Sequence, residues 1–453
     1  MANPYLAGNF GPVDVETTAA DLPVTGTLPA ELRGRYLRNG PNPVRVDDPS
    51  KYHWFTGAGM VHGVGIDAGR ATWYRNRYVR SDSVAEVKGW PRTPGPRHGM
   101  SDGTANTNVI VHAGRTFAIV EAGALPMELN AELMTISSSD FDGTLPGSFT
   151  AHPKRDPRTG ELHAVVYYWE WDHIEYVVVG TDARVRKVVD VPVPGKPMVH
   201  DCAITESSVL LFDLPCHFDL DLAMHGVTFP YRWNEAFSAR VGVLPRDGDA
   251  SDVRWCELDD PCYVFHPLNA YDEDDGTIVV DVVRHPAMFA TDFEGPNEGP
   301  TRLERWRLDP AAGKVRTDVL SDRYQEFPRH DERLVGRRHR FGYSTAAESG
   351  PGGGIAFSSL LKHDLDRAET VVHDVGAGRA AMEPVFVPRG PDAAEDDGWV
   401  LAYVHDATRD ACDIAVLDAQ DFTAAPVATV HLPVRVPFGF HGNWIADAPE
   451  GDR

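Results

Sequence analysis

Short apolar runs, rich in β-branched and aromatic residues, recur along the whole chain and are separated by clusters of turn-forming residues such as HAGR, DPRTGE and DEDDG. Such runs are typical of antiparallel strands joined by tight turns. Long helical periodicity is scarce, and Phe218–Trp233 is the one candidate for a helix or an irregular insert. The pattern predicts an all-β fold, with strands at Thr107–His112, Ala164–Trp169, Tyr176–Val179, Val209–Phe212, Thr277–Val283 and Trp399–Val404.

The length of the chain, 453 residues, decides between the all-β architectures. Sandwiches rarely reach this size, so many short, evenly spaced strands favour a β-propeller. Seven blades would each take about 65 residues, which leaves room for inserted loops. The chain shows no clean internal repeat and no linker, so we expect one domain over residues 1–453 and a disordered tail at Asp447–Arg453.

Charge and composition narrow the possible partners. The formal net charge is −24, from 43 basic and 67 acidic residues, which argues against nucleic acid as a partner because phosphates require a basic surface. Five cysteines without a CxxC pair argue against a disulfide framework or a thiolate zinc site. The N-terminus lacks the basic and apolar segments of a signal peptide, and no apolar run is long enough to span a bilayer. We expect a cytoplasmic protein.

Four histidines occupy distinctive short motifs, each after a strand-like segment and before Pro, Asp or Gly. Imidazole is the commonest protein ligand for a transition metal near neutral pH. The gaps between these histidines are 48, 66 and 175 positions, so only a large fold that gathers distant segments could bring them together. The four are His152 in FTAHPKRDP, His200 in PMVHDCAIT, His266 in YVFHPLNAYDE and His441 in PFGFHGNW.

Other histidines are alternatives, because the chain has 19 of them and a hydrogen-bonded structural histidine is the commoner case. His53 and His62, in HWFTGAGMVHG, form a second pair, but their glycine-rich spacing favours a tight loop. Four more lie on strand-like segments: His112, His163, His173 and His405.

Motifs along nearly the whole chain resemble those of the carotenoid cleavage oxygenases, which include lignostilbene and apocarotenoid dioxygenases. The resemblance implies a seven-bladed β-propeller, with loops and short helices capping one face over an axial Fe(II), one per chain. It implies that His152, His200, His266 and His441 bind this iron. The motifs that carry it are LPAELRGRYLRNGPNP, HWFTGAGMVHG, NTNVIVHAGRTFAIVEAGALPMEL, AHPKRDPRTGELH, VHDCAIT, FHPLNAYDE, EFPRHDERLVGRRHRFGY, MEPVFVPRG, EDDGWVLAYVHD and FHGNW.

The same resemblance assigns residues around the metal. Glu121 in AIVEAG, Glu326 in YQEFPR and Glu383 in AMEPVF would accept hydrogen bonds from the ligand imidazoles, fixing their tautomer and orientation. A plain surface position is the usual alternative for Glu. Thr107 in NTNV matches a threonine beside an open iron position, although it is equally compatible with an ordinary strand.

The implied reaction is that of a dioxygenase, in which O2 cleaves one C=C bond of a carotenoid or apocarotenoid to give two carbonyl products. No glycine-rich dinucleotide fingerprint is present, so NAD or flavin is not implied. An apolar tunnel is expected for such a hydrophobic polyene or alkene. Aromatic residues next to the motifs are its predicted lining, with core packing as the alternative: Trp54, Phe55, Phe265, Phe440 and Trp444.

One departure from the family bears on the substrate. Members that cleave phenolic stilbenes carry a lysine where this chain has Val120, and their tyrosine is not evident in WPRTPGPRHGMSDG. This argues against a hydroxystilbene, although a stilbenoid or phenylpropanoid alkene stays an alternative, as does isomerisation or hydrolysis of a retinoid-like ester. A non-catalytic propeller scaffold and a calcium-dependent hydrolase are the alternatives from other classes. The insert Leu214–Trp233 is either a weak membrane contact or a covering loop; oligomeric state stays open.

Overall fold

The structure, a computed structural model, describes residues 3–349 and 355–447 and is built almost entirely of strands. Two short helices, α1 (Asp82–Lys88) and α2 (Leu220–Met224), and six single-turn 3-10 helices accompany 33 strands in this part of the chain. The strands are β1 (Thr18–Ala20), β2 (Val24–Gly26), β3 (Gly34–Pro41), β4 (Gly59–Asp67), β5 (Arg70–Tyr78), β6 (Asn108–His112), β7 (Arg115–Ile119), β8 (Met127–Leu129), β9 (Thr135–Ser138), β10 (Lys154–Arg155), β11 (Leu162–Val166), β12 (His173–Val179), β13 (Val185–Pro192), β14 (Cys202–Ile204), β15 (Ser208–Asp213), β16 (Cys216–Phe218), β17 (Tyr231–Trp233), β18 (Arg240–Pro245), β19 (Arg254–Glu257), β20 (Tyr263–Asp272), β21 (Ile278–His285), β22 (Arg302–Asp309), β23 (Lys314–Ser321), β24 (Gln325–Arg329), β25 (Phe341–Ser349), β26 (Ile355–Asp364), β27 (Glu369–Asp374), β28 (Arg379–Ala381), β29 (Val385–Pro388), β30 (Gly398–Asp406), β31 (Ala411–Asp418), β32 (Ala428–His431) and β33 (Gly442–Ala446).

These strands form antiparallel meanders that follow one another along the chain as a β-propeller. Among the described residues there are five separate sheets of four to six strands: β1-β5-β4-β3-β33, β6-β7-β8-β9, β10-β11-β12-β13, β24-β25-β26-β27 and β2-β32-β31-β30-β28 with β29 on β30. An eight-stranded sheet has the order β14-β15-β18-β19-β23-β22-β21-β20, and its two meanders meet at the single parallel pair Glu257–Lys314. The all-β and propeller predictions are confirmed.

The two ends of the chain close the ring. β33 pairs with β3, with Gly34 opposite Ala446, and β2 pairs with β32, with Val24 opposite Val430. N-terminal and C-terminal segments therefore share two sheets, which is how a propeller avoids exposed sheet edges at its seam. The closure also places His441, directly before β33, beside β3, where its carbonyl accepts a hydrogen bond from the backbone N–H of Asn39 at 2.9 Å.

The core lies between the sheets, where whole strands such as β15 and β30 are buried. Each of the six predicted strands overlaps an observed one: β6, β11, β12, β15, β21 and β30. The predicted insert Phe218–Trp233 contains α2 and overlaps the hairpin of β16 and β17. All five cysteines are buried and free.

Two further expectations concern the C-terminal tail and membrane-spanning segments. The predicted tail Asp447–Arg453 lies, apart from Asp447, outside the described residues. Among the described residues, neither helix has the length and apolar character needed to cross a bilayer.

Candidate metal centre

The four predicted histidines converge although they lie far apart in the chain. His152, His200 and His441 lie in extended segments that lead into β10, β14 and β33, so they precede strands instead of ending them as the sequence pattern suggested. His266 lies within β20, where the pairing with β21 skips from Val264 to Pro267. This bulge frees the His266 ring from the ladder and turns it towards the other three.

One ring nitrogen from each histidine lies within 4.8 Å of the other three, and all four residues are buried. The Nε2 atom of His200 is 3.0 Å from that of His152 and 3.2 Å from that of His266. Nitrogens that each ligate one transition metal at about 2.1 Å are separated by about 3–4 Å, so the observed spacing fits a single ion. Four nitrogen donors suit iron, zinc or copper and do not suit calcium.

Three carboxylates, of which two are buried and that of Glu121 is partly buried, accept hydrogen bonds from the far sides of these rings. Glu121 Oε1 and Glu326 Oε2 each lie 2.6 Å from the Nδ1 atoms of His200 and His266, respectively. Glu383 Oε1 lies 2.8 Å from Nδ1 of His441. Because a carboxylate only accepts, each Nδ1 must donate, and each Nε2 then presents its lone pair to the shared centre.

The protonation states follow from burial and these partners. For the carboxyl of Glu383, burial opposes ionisation, but the charges of Arg329 and His441 outweigh it and lower the pKa to about 2. Burial and the other three histidines hold the pKa of His152 well below its ordinary value, and burial lowers the pKa of His441 to about 4. Both rings are therefore neutral at physiological pH, as a metal ligand must be.

His152 differs from the other three because no glutamate accepts from it among the described residues. Its Nδ1 lies 3.7 Å from Asp201 Oδ2, and Asp201 is held by Lys154 at 2.8 Å. The pKa of Asp201 is raised by its burial, against the opposing charge of Lys154. The orientation of the His152 ring is thus less firmly fixed than that of the other three rings.

Two residues that the sequence reasoning missed complete the network. His285 Nε2 lies 2.7 Å from the second oxygen of Glu326, and Arg329 Nη1 lies 3.2 Å from Glu383 Oε2. The pairing of β24 with β25 skips between Glu326 and Arg329, and Phe327 has φ of 57°. This irregularity aims Glu326 at His266 and Arg329 at Glu383. The proline in EFPR, inside a strand, was the available signal.

Thr107 lies beside the four histidines, where its carbonyl accepts a hydrogen bond from the backbone N–H of His441 at 3.1 Å. Its hydroxyl donates to Asn106 Oδ1 at 3.0 Å, and the residue lines the cavity described next. The structure therefore places Thr107 next to the centre without a direct bond to any of the four rings among the described contacts.

An apolar cavity reaches His200, His266 and His441. Its walls are largely aromatic and aliphatic, as is usual for a site that binds an apolar small molecule. Four of the five aromatic residues predicted to line a tunnel contact it: Trp54, Phe55, Phe265 and Phe440. Further lining residues are Val120, Tyr167, Phe229, Tyr324, Phe327, Ile355 and Phe357.

Trp444, the fifth predicted lining residue, does not contact the apolar cavity. It lies in β33, three residues beyond His441 and opposite Tyr36 of β3, so the strand has already carried it away from the rings. It lines instead a second, more polar cavity that also contacts His152, Lys154, Asp201 and Arg329. The histidines therefore separate an apolar cavity from a polar one.

Comparisons with known proteins find relatives along nearly the whole chain. The retinal pigment epithelial membrane protein (RPE65) family matches residues 10–446 of the chain. A carotenoid cleavage oxygenase of Mycobacterium tuberculosis is 46% identical over 98% of this chain and 97% of its own length. A carotenoid 9,10(9',10')-cleavage dioxygenase of Phaseolus vulgaris is 33% identical over 98% of this chain and 89% of its own.

Two solved structures are similar in fold. A lignostilbene dioxygenase of Pseudomonas brassicacearum superimposes with a TM-score of 0.87 at 29% identity, covering 98% of each chain. A cobalt-substituted apocarotenoid oxygenase (ACO) of Synechocystis superimposes with a TM-score of 0.85 at 25% identity, covering 96% of this chain and 97% of the other.

Proposed function

Because this chain belongs to the RPE65 family, together with the carotenoid cleavage oxygenases, we propose that it is a non-haem Fe(II) dioxygenase. It would cleave one C=C bond of a carotenoid or apocarotenoid with O2 and release two carbonyl products. The observation that carries the proposal is the group of four buried histidines, three of which line an apolar cavity. A scaffold would not need four imidazoles whose lone pairs share one centre.

Within this proposal His152, His200, His266 and His441 are the iron ligands. When bound, the iron supplies the activation of O2 that alkene cleavage requires. Glu121, Glu326 and Glu383 hold the imidazoles in the ligating tautomer through the bonds described above. Thr107 borders the open side of the site, and the cavity holds the polyene against it while excluding water.

A carotenoid or apocarotenoid fits the cavity better than a phenolic alkene. Val120 lines the wall directly before Glu121, where a lysine in stilbene-cleaving relatives would meet a phenol. The resemblance in fold to the Pseudomonas lignostilbene dioxygenase nevertheless makes a stilbenoid or phenylpropanoid the second candidate substrate.

We also propose a weak contact with a membrane surface by an otherwise cytoplasmic protein. A cleft next to the apolar cavity shares Phe55 and Val120 with it and is lined by Met100. The Met100 side chain is strongly exposed, as are Leu220 and Met224 of α2. Exposed apolar side chains of this kind suit the uptake of a lipid-soluble substrate.

The blade number belongs to this proposal as well. The eight-stranded sheet divides at its single parallel pair into two four-stranded meanders, β14-β15-β18-β19 and β20-β21-β22-β23. If each meander is one blade, the propeller has seven, as the family resemblance implies.

The proposed reaction is tested by aerobic incubation of the Fe(II)-loaded protein with carotenoids, apocarotenals and stilbenes under ¹⁸O2. We expect paired carbonyl products from a polyene, with label in both. Label in only one product would contradict a dioxygenase, and cleavage of stilbenes alone would favour the second candidate.

Tyr324 provides a prediction about the substrate's polar end. Its hydroxyl is buried and has no hydrogen-bond partner among the described residues, although the residue lines the apolar cavity. An unpaired buried hydroxyl costs about 1–3 kcal/mol, which a hydroxyl or aldehyde oxygen of the substrate would offset. We expect Tyr324→Phe to lower kcat/KM about 10-fold for such a substrate and to leave a hydrocarbon carotene unaffected. Equal effects on both substrates would contradict this role.

A further inference from the structure

Three potential ligands lie on one face of the sheet β10-β11-β12-β13, away from the four-histidine centre. His173 and Glu175 are two residues apart on β12, so their side chains point to the same side. Asp190 of β13 is the direct antiparallel partner of Glu175. One ligand atom from each of His173, Glu175 and Asp190 lies within 4.8 Å of the other two.

His173 is oriented as a metal-binding histidine would be. Its Nδ1 lies 3.1 Å from Asp172 Oδ1, and since the carboxylate accepts, Nδ1 carries the proton. The lone pair is then on Nε2, which faces Glu175 Oε1 at 3.9 Å. The ring also stacks on Trp171, with centroids 5.2 Å apart and planes at 6°. A carboxylate behind an imidazole, with the other nitrogen left free, is the arrangement that supports metal ligation.

Glu175 supplies a second and independent observation. The residue is only 6% exposed, and its Oε2 has no hydrogen-bond partner among the described residues. Buried carboxylates are normally paired, and like charges directly opposite each other destabilise a sheet. Burial first, and then the charge of Asp190, raise the pKa of Glu175 to about 7. A cation between the two carboxylates would remove both costs.

We propose that His173, Glu175 and Asp190 bind a second divalent metal ion, of the zinc class, with water completing the coordination. One imidazole and two carboxylates suit zinc or cobalt, whereas calcium prefers oxygen ligands alone. The ion would join β12 to the edge strand β13. It would therefore stabilise this sheet and take no part in the chemistry at the four histidines.

The test is a zinc titration of the Fe(II)-loaded protein, with bound metal measured after dialysis. The wild type should retain one zinc per chain more than Glu175→Gln, and its Tm should rise with zinc while that of the variant does not. Glu170→Gln is the matched control, because it makes the same change at an exposed residue three positions before His173. It should bind zinc like the wild type.

A second variant, Asp190→Asn, keeps the test decisive if Glu175→Gln fails to fold. Polyene cleavage should be unchanged in both variants, which separates this site from the proposed function. Equal zinc binding by the wild type and both variants would overturn the proposal. So would retention of zinc only when it is far in excess of protein.

Discussion

Replacing His200 with alanine is expected to abolish bound iron and alkene cleavage together. The Nε2 atom of His200 lies 3.0 Å from that of His152 and 3.2 Å from that of His266. The substitution therefore removes the central one of these nitrogen donors. It also leaves the partly buried Glu121 without its imidazole partner. Loss of a hydrogen-bonded neighbour of a ligand costs about 10–100-fold in affinity or rate, and loss of the ligand itself should cost more. Iron analysis and turnover on one preparation measure both effects.

The control for this experiment is a buried histidine outside the centre. His405 of β30 is buried, and its ring lies 3.6 Å from Asp410, away from the four rings. His405→Ala should therefore keep its iron and its activity when folded. Full iron and turnover in His200→Ala would show that His200 is not a ligand.

Replacing Arg329 with methionine is expected to cause the largest loss of stability. The guanidinium lies 3.2 Å from Glu383 Oε2 and donates to the backbone carbonyl of Gly442 at 2.9 Å. Glu383 is almost fully buried and would keep only the His441 ring and the Gly442 N–H as partners. Removing one member of a buried ion pair costs about 3–5 kcal/mol. Urea unfolding of the metal-free protein measures this free energy.

A surface ion pair gives the matched comparison. Arg389 and Asp397 are 2.8 Å apart, but both side chains are about one-third exposed. Arg389→Met should therefore lower the free energy of unfolding by no more than about 1 kcal/mol. Adding Glu383→Gln to Arg329→Met should restore part of the lost stability, because it removes the stranded charge. Equal losses from Arg329→Met and Arg389→Met would contradict the structural account of this pair.

The strands and the convergence of the histidines were accessible from the sequence, for different reasons. Continuous apolar runs bounded by turn residues predict strands such as β15 and β30, because these strands are buried on both faces between sheets. The four histidines have no local relationship to one another. They were found through ordered motifs shared with a family, and periodicity alone could not have selected them from 19.

The remaining features of the site could not be predicted from the sequence, because they depend on irregular backbone and on which strands pair. The skipped pairing in β24 aims Glu326 and Arg329, and side-chain alternation cannot predict it. Trp444 was assigned to the tunnel because it follows His441 closely, but the strand direction carries it to the polar cavity. His173 was treated in the sequence as one of several histidines on strand-like segments. It becomes a candidate metal ligand only because the pairing of β12 with β13 places Asp190 opposite Glu175.

Anomalous diffraction at the iron absorption edge from crystals of the Fe(II)-loaded protein tests the central claim most directly. We predict one strong peak within coordinating distance of the Nε2 atoms of His152, His200, His266 and His441, and its disappearance in His200→Ala. A peak elsewhere, or an iron held by carboxylates while the four rings stay apart from it, would contradict the account.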